Sequence, residues 1–401
     1  MRRKLRRTRS VFSKRRVPRG LKVFGTLVLC VAVVAAGFFV AKYATEHGKN
    51  TTDSEAIQPL TPPTSDKTGS GTNRPNSDKE DTTQPDGDQP QAPASLDTIR
   101  GFYLPHSALQ SDTLPATLTA ARKAGFNAVL FDLKDADGNL YYQFSNAQAK
   151  RVNSFTADAL TAEGLTALFD TIRECGLQPI PRLYAFRDDL AAKVLSDARI
   201  GLVSNHTWAW YDGDPNNGGK KWLNPYSTTA QSYIQGLAEE LKAKGAAAVM
   251  LDSVQFPDKL DKNAYLGDVA DLATERAATL TAFIEATRTR LGADCPLLLS
   301  CTEKGALATD TKVYGGNPLT FGAAVASPLL TSKWQDAAKE LARRIQGPDI
   351  QGTTLAPMLK TIGLTAKQVS DAISACTKGG ADSFILFDHE GYYEFADYDL
   401  P

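Results

Sequence analysis

The stretch that decides the fold reads Ala246-Ala247-Ala248-Val249-Met250-Leu251-Asp252-Ser253-Val254-Gln255-Phe256-Pro257. It follows Lys244-Gly245 and opens as an unbroken apolar run, the pattern of a strand buried on both faces of a parallel sheet. It closes on a carboxylate, polar residues and a proline, so the strand stops where Asp252 emerges. An acid at the carboxyl end of a buried parallel strand stands where barrel enzymes place their chemistry. One such acid can equally cap a loop or pair with an arginine, so the remaining strands decide.

Working outward, seven more apolar runs read as strands: 99–104, 128–133, 179–186, 296–301, 323–327, 353–359 and 382–387, beside 246–251 itself. Amphipathic stretches separate them at 114–123, 161–175, 228–244, 269–291, 333–345 and 365–378, with a shorter helix at 189–198. Several end in Gly (Gly125, Gly176, Gly245, Gly379-Gly380) just before the next strand, as helix C-termini do. No clear long helix lies between the fifth and sixth strands. Eight strands with intervening helices over about 300 residues match an α/β fold of the (β/α)8 (TIM) barrel type. A doubly wound open sheet lacks its Gly-rich phosphate turn here.

The first 95 residues are different. Residues 1–22 hold eleven Lys or Arg and no acid, and 23–41 are uncharged. At 1.5 Å rise per residue that run nearly spans a hydrocarbon core of about 30 Å. Basic residues before it place the N-terminus in the cytoplasm, so residues 23–43 read as a single transmembrane signal anchor in the lipid bilayer. A cleaved signal peptide fits less well, because Lys42 occupies the minus-three position of the candidate cut after Ala44. Residues 44–95 are rich in Ser, Thr, Pro and Asp and read as a disordered linker. The body, 96–401, is then held outside the membrane. The basic head invites a nucleic-acid reading, but the apolar span that follows argues against it. Forty-five basic and forty-five acidic residues balance over the whole chain, and that balance says little about partners. Five cysteines without paired or metal-type spacing suggest buried free thiols.

Polar side chains collect at the strand ends. They are Tyr103 and His106 after the first strand; Asp132, Lys134 and Asp135 after the second; Arg182, Tyr184 and Arg187 after the third. Asp252 and Gln255 follow the fourth, Ser300, Thr302 and Glu303 the fifth, and Asp388, His389 and Glu390 the eighth. In a barrel all of these meet at one face, which is a binding or catalytic arrangement. The loop after the third strand carries three of the four tryptophans. Indole faces stack on sugar rings, so Trp208 and Trp210 are candidate platforms, although a satellite core under a long loop would use Trp equally well. Trp222, just before Pro225 and a helix, reads as structural.

The phrases Phe131-Asp132-Leu133-Lys134-Asp135-Ala136-Asp137-Gly138, Pro181-Arg182-Leu183-Tyr184-Ala185-Phe186-Arg187-Asp188, Trp222-Leu223-Asn224-Pro225-Tyr226 and Leu251-Asp252-Ser253-Val254-Gln255-Phe256-Pro257 occur in this order. Together they resemble a bacterial glycoside hydrolase family, long labelled a domain of unknown function, whose barrel is α-amylase-like. The resemblance covers residues 98–395. Where the family's fourth-strand phrase runs Asp-Tyr-x-Arg-Phe-Pro, this chain keeps Asp252 but has Ser253 and Gln255.

Glycoside hydrolysis needs one protonated and one ionised carboxyl. The resemblance implies Asp252 as nucleophile and Glu303 as acid/base, on neighbouring strands. A carboxyl separation near 5.5 Å would mean retention, and about 6.5–9.5 Å inversion. Arg182, with Lys134 nearby, is expected to keep Asp252 ionised. Asp132, Asp135 and Asp388 would bind hydroxyls or stabilise positive charge, and Glu390 is a reserve acid. Tyr103, His106, Gln255 and His389 complete the expected sugar-binding set. The expected partner is a polysaccharide, with no cofactor and no metal. Two other classes stay open. One is a non-catalytic glycan-binding protein of the cell wall; the other is a metal-dependent polysaccharide hydrolase or deacetylase using Asp132, Asp135, His106 or His389.

Overall fold

The computed structural model describes residues 96–400. The expected basic head, anchor and linker lie outside them, and among the described residues no helix is long and apolar enough to cross a membrane. Eight parallel strands form the centre: β1 (Arg100–Leu104), β2 (Ala128–Lys134), β3 (Gln178–Tyr184), β4 (Val249–Asp252), β5 (Leu297–Thr302), β6 (Val325–Leu330), β7 (Met358–Lys360) and β8 (Phe384–Phe387). Each pairs with the next, and β8 pairs β1, which pairs β2, so the sheet closes on itself. Closure removes both sheet edges and leaves every strand covered on two sides. That is why the strands read as apolar runs. The chain is a TIM barrel.

Two apolar clusters follow from strand alternation. Residues such as Ile99, Leu130, Ile180, Met250, Leu298 and Ile385 fill the lumen. Their neighbours Phe131, Leu183, Leu251 and Leu299 point outward into the main core. Helices Leu114–Lys123, Ala162–Glu174, Thr228–Ala243, Ala273–Leu291, Trp334–Ile345 and Ala366–Lys378 form the outer layer. Between β5 and β6 there is only a turn of helix, Glu303–Ala306, and a 3-10 turn, Pro318–Thr320, in keeping with the missing amphipathic pattern there. The seventh strand is shorter than the run 353–359 suggests. A two-residue piece, Thr354–Leu355, pairs β6, and Pro357, which has no N–H for the ladder, separates it from β7.

Two additions were not evident from periodicity. After β2, Leu140–Tyr142 and Phe155–Leu160 extend the sheet, the first antiparallel to β2 and the second parallel to the first. The loops after β3 and β4 combine into a separate three-stranded sheet of Gly201–Leu202, Asn205–Ala209 and Ala264–Tyr265.

Candidate active site

Alternation along the strands decides what enters the mouth. Asp252 follows the lumen residues Ala248 and Met250, and Ser300 follows Leu298, so both face inward. The Ser300 hydroxyl donates to Asp252 Oδ2 at 2.7 Å, and the Ser253 hydroxyl donates to Oδ1 at 2.9 Å. Arg182 Nη1 lies 3.7 Å from Oδ2. Both carboxylate oxygens are thus held in place by side-chain donors. Ser253 has φ 52°, a left-handed backbone uncommon outside glycine and costing about 1–3 kcal/mol, directly after the candidate nucleophile. Strain of this kind collects at working sites.

Arg182 is the organiser of the lumen. It forms a bidentate pair with Asp132, Nε to Oδ1 at 2.6 Å and Nη2 to Oδ2 at 3.0 Å. Tyr103 donates its hydroxyl to the same Oδ2 at 3.0 Å. The guanidinium packs over the rings of Tyr103, Tyr184 and Phe387 at 5.1, 4.9 and 5.0 Å. Burial alone would lower its pKa, but Asp132 and more weakly Asp252 hold it well above the ordinary value. Asp132 and Tyr103 therefore act through Arg182, and neither lines the open mouth.

The mouth is a cavity of about 520 Å3, within the range of small-ligand clefts. Asp252, Glu303, Arg182, Tyr184, Gln255 and Ser300 line it, with Arg187 and Lys304 at its wall. Asp252 and Glu303 are therefore brought to one space. Glu303 opens the short helix Glu303–Ala306, whose N-terminus is capped when the Gly305 N–H donates to Thr302 Oγ1 at 3.1 Å. Gly305 is needed there, because a Cβ would stand within 2.9 Å of the Tyr314 ring. Tyr314 in turn accepts the Thr302 N–H at 3.1 Å. Among the described residues the half-buried Glu303 carboxylate has no hydrogen-bond or ion-pair partner, so it is free to meet a ligand. The register sets Ser300, not Glu303, level with Asp252. Glu303 stands farther up the rim. Cys301 also reaches the cavity, but burial first and Asp252 second push its thiol far above the ordinary value, which disfavours the thiolate.

The other expected residues lie elsewhere. Lys134 does not support Asp252: it is fully buried, pairs with Asp188 at 2.9 Å and donates to the Tyr184 carbonyl at 2.5 Å. A register shift between Asp132 and Lys134 sets Lys134 level with Leu183, an outward residue, so the bulge turns it away from the lumen. Asp135 is committed to its own turn, accepting the N–H groups of Asp137, Gly138 and Asn139, the Asn139 amide and the Tyr141 hydroxyl. His106 stacks on Tyr141 and faces Asp158 at 3.2 Å. Asp388 is buried and accepts the Glu390 N–H, while His389 and Glu390 are exposed; none of the three lines the mouth. Trp208 and Trp210 line a second cavity, and Trp222 is a buried anchor donating to Asp212 at 2.9 Å. Among the described residues no cluster of three or more His, Cys, Asp or Glu is placed to hold a metal. Sequence reasoning set Ser300 and Tyr184 at the strand ends but passed over Ser300 as a partner of Asp252, Tyr184 as a wall beside Arg182, and Phe387 altogether. Alternation from Leu298 and Ile180 signals the first two.

A closed barrel with acids and a clamped arginine at its carboxyl-end mouth has the layout of a TIM-barrel enzyme site. The model of the family described as "putative glycosyl hydrolase domain" matches residues 101–302, and the chain belongs to that family. No curated relative matches the chain. Among solved structures, a hypothetical protein from Ruminiclostridium thermocellum is 20% identical over 49% of this chain and 96% of its own, with TM-score 0.41. The glycoside hydrolase domain of PelA from Pseudomonas aeruginosa is 13% identical over 74% of this chain and 96% of its own, with TM-score 0.42. A family 20 exo-β-N-acetylglucosaminidase from Vibrio harveyi is 14% identical over 66% of this chain, which spans only 41% of that protein, with TM-score 0.41.

Proposed function

We propose that the chain hydrolyses O-glycosidic bonds of a polysaccharide, with Asp252 as the ionised carboxylate and Glu303 as the proton donor. The observation that carries this reading is the shared cavity. Two carboxyls from neighbouring strands face one space in a barrel of the glycosyl hydrolase family. Asp252, fixed by Ser253, Ser300 and Arg182, suits attack on the anomeric carbon or activation of a water. Glu303, without a protein partner, suits delivery of a proton to the departing oxygen. Arg182 keeps its charge and stands 3.7 Å from Asp252 Oδ2. Gln255 and Tyr184 supply hydroxyl-binding groups and an aromatic wall.

The sequence supports a membrane-anchored, extracytoplasmic location, with residues 1–22 cytoplasmic, 23–43 spanning and 44–95 as tether. The test is release of reducing ends from a panel of polysaccharides by the full-length chain. Asp252→Asn is expected to lower turnover by on the order of a thousandfold or more. Undiminished turnover in that variant rejects the assignment. Binding of a glycan with no release by the wild-type chain would favour a non-catalytic binder, a reading motivated by Ser253 and Gln255.

A further inference from the structure

The cavity of about 610 Å3 beside the three-stranded sheet shares no residue with the mouth. Its wall carries Trp208, which is 63% exposed. Large exposed aromatics are costly to leave in water and mark interaction sites. Trp208 sits on Asn205–Ala209, and in the same strand His206 stacks on Tyr265 with centroids 3.4 Å apart and planes 6° from parallel. Trp210 is buried and donates its indole N–H to Asp261 at 3.0 Å. Asn263 gives the same carboxylate both its backbone N–H and its side-chain amide, each at 3.0 Å. Burial would raise the pKa of Asp261, but these donors together hold it below the ordinary value. The cavity thus combines a free indole face, the Tyr211 ring and an oriented carboxylate and amide.

We propose that this cavity is a second, non-catalytic site that binds a pyranose chain, with Trp208 stacking on a sugar face and Asp261 and Asn263 meeting its hydroxyls. A sugar has the required two-sided chemistry, with C–H groups for the indole and hydroxyls for the polar floor. A lipid surface suits it less well, because Arg199, the cation of the lining, donates to the Thr207 carbonyl and Asp261 sets a carboxylate in the same wall, an arrangement unfavourable to anionic headgroups. The loops that build the site follow β3 and β4, the strands that also send Arg182 and Asp252 to the mouth. A polymer held by the lobe is therefore kept at the same rim as the hydrolytic cavity, and in that respect the inference rests on the proposed function.

The experiment uses the full-length chain carrying Asp252→Asn, so that bound polymer is not consumed, on an array of bacterial and plant polysaccharides with anionic phospholipid vesicles alongside. The expected result is binding to at least one pyranose polymer. Adding Trp208→Ala should weaken it about tenfold, and Trp208→Phe should restore most of the affinity. The inference is overturned if no polysaccharide binds, if binding ignores Trp208→Ala, or if only vesicles bind through Trp208. A chain that binds through Trp208 but hydrolyses nothing would sink the hydrolase reading alone. Hydrolysis with Trp208-independent binding would sink this inference alone.

Discussion

Asp132 and Asp252 face the same lumen and do different work. Asp132 spends both oxygens on Arg182 and Tyr103, whereas Asp252 takes two hydroxyl donors and keeps contact with the open cavity. Removing Asp132 leaves a guanidinium buried among three aromatic rings without its counter-charge. Breaking a buried pair in this way costs on the order of 3–5 kcal/mol. Asp132→Ala should therefore lower denaturant stability by about that amount; a change below about 1 kcal/mol would show that Arg182 is not held as described. The sequence showed both acids at strand ends, and only the family resemblance separated their roles. The sequence also set Lys134 near Asp252, and only the bulge after Asp132 reveals its pairing with Asp188.

At the scale of elements, the turn that carries Glu303 depends on one close approach. Gly305 packs on Tyr314, and Tyr314 accepts the N–H of the capping residue Thr302. Gly305→Ala pushes Tyr314 or the turn aside and so misplaces Glu303. Turnover is expected to fall by about tenfold or more, and the melting temperature to drop by several degrees, since the added methyl is forced against the buried Tyr314 ring. Unchanged turnover would detach Glu303 from the chemistry. Gly138 meets a similar constraint: φ is +97°, and a Cβ would reach within 2.7 Å of the Asp188 carboxyl carbon. The strands were legible because burial on both faces makes most of their residues apolar. The sheet of Gly201–Leu202, Asn205–Ala209 and Ala264–Tyr265 was not, because two- and five-residue strands drawn from separate loops leave no period to read. For the same reason the sequence could not tell that Trp208 and Trp210 stand apart from the mouth.

Over the whole molecule the described cysteines are free, and Cys295, Cys301 and Cys376 are buried. Burial pushes the Cys295 thiol up to about 11 and the Cys376 thiol up to about 12. Cys301 is raised further, by burial and then by Asp252. Raised thiol values leave little thiolate at pH 8, so alkylation read by mass spectrometry should spare these three in the folded chain and modify them after unfolding. Rapid labelling of Cys301 in the native state would contradict its burial at the wall of the mouth. The barrel and its polar rim were readable from strands and their last residues. What stayed hidden were the contacts made by residues far apart in the chain, such as Ser300 with Asp252. The central claim, that Asp252 and Glu303 form one catalytic unit, is tested most directly by turnover of Asp252→Asn, Glu303→Gln and the double variant on a hydrolysed polysaccharide. The account predicts a double variant no slower than the slower single one, because either loss disables the pair; losses that multiply, or full activity in either single variant, would contradict it.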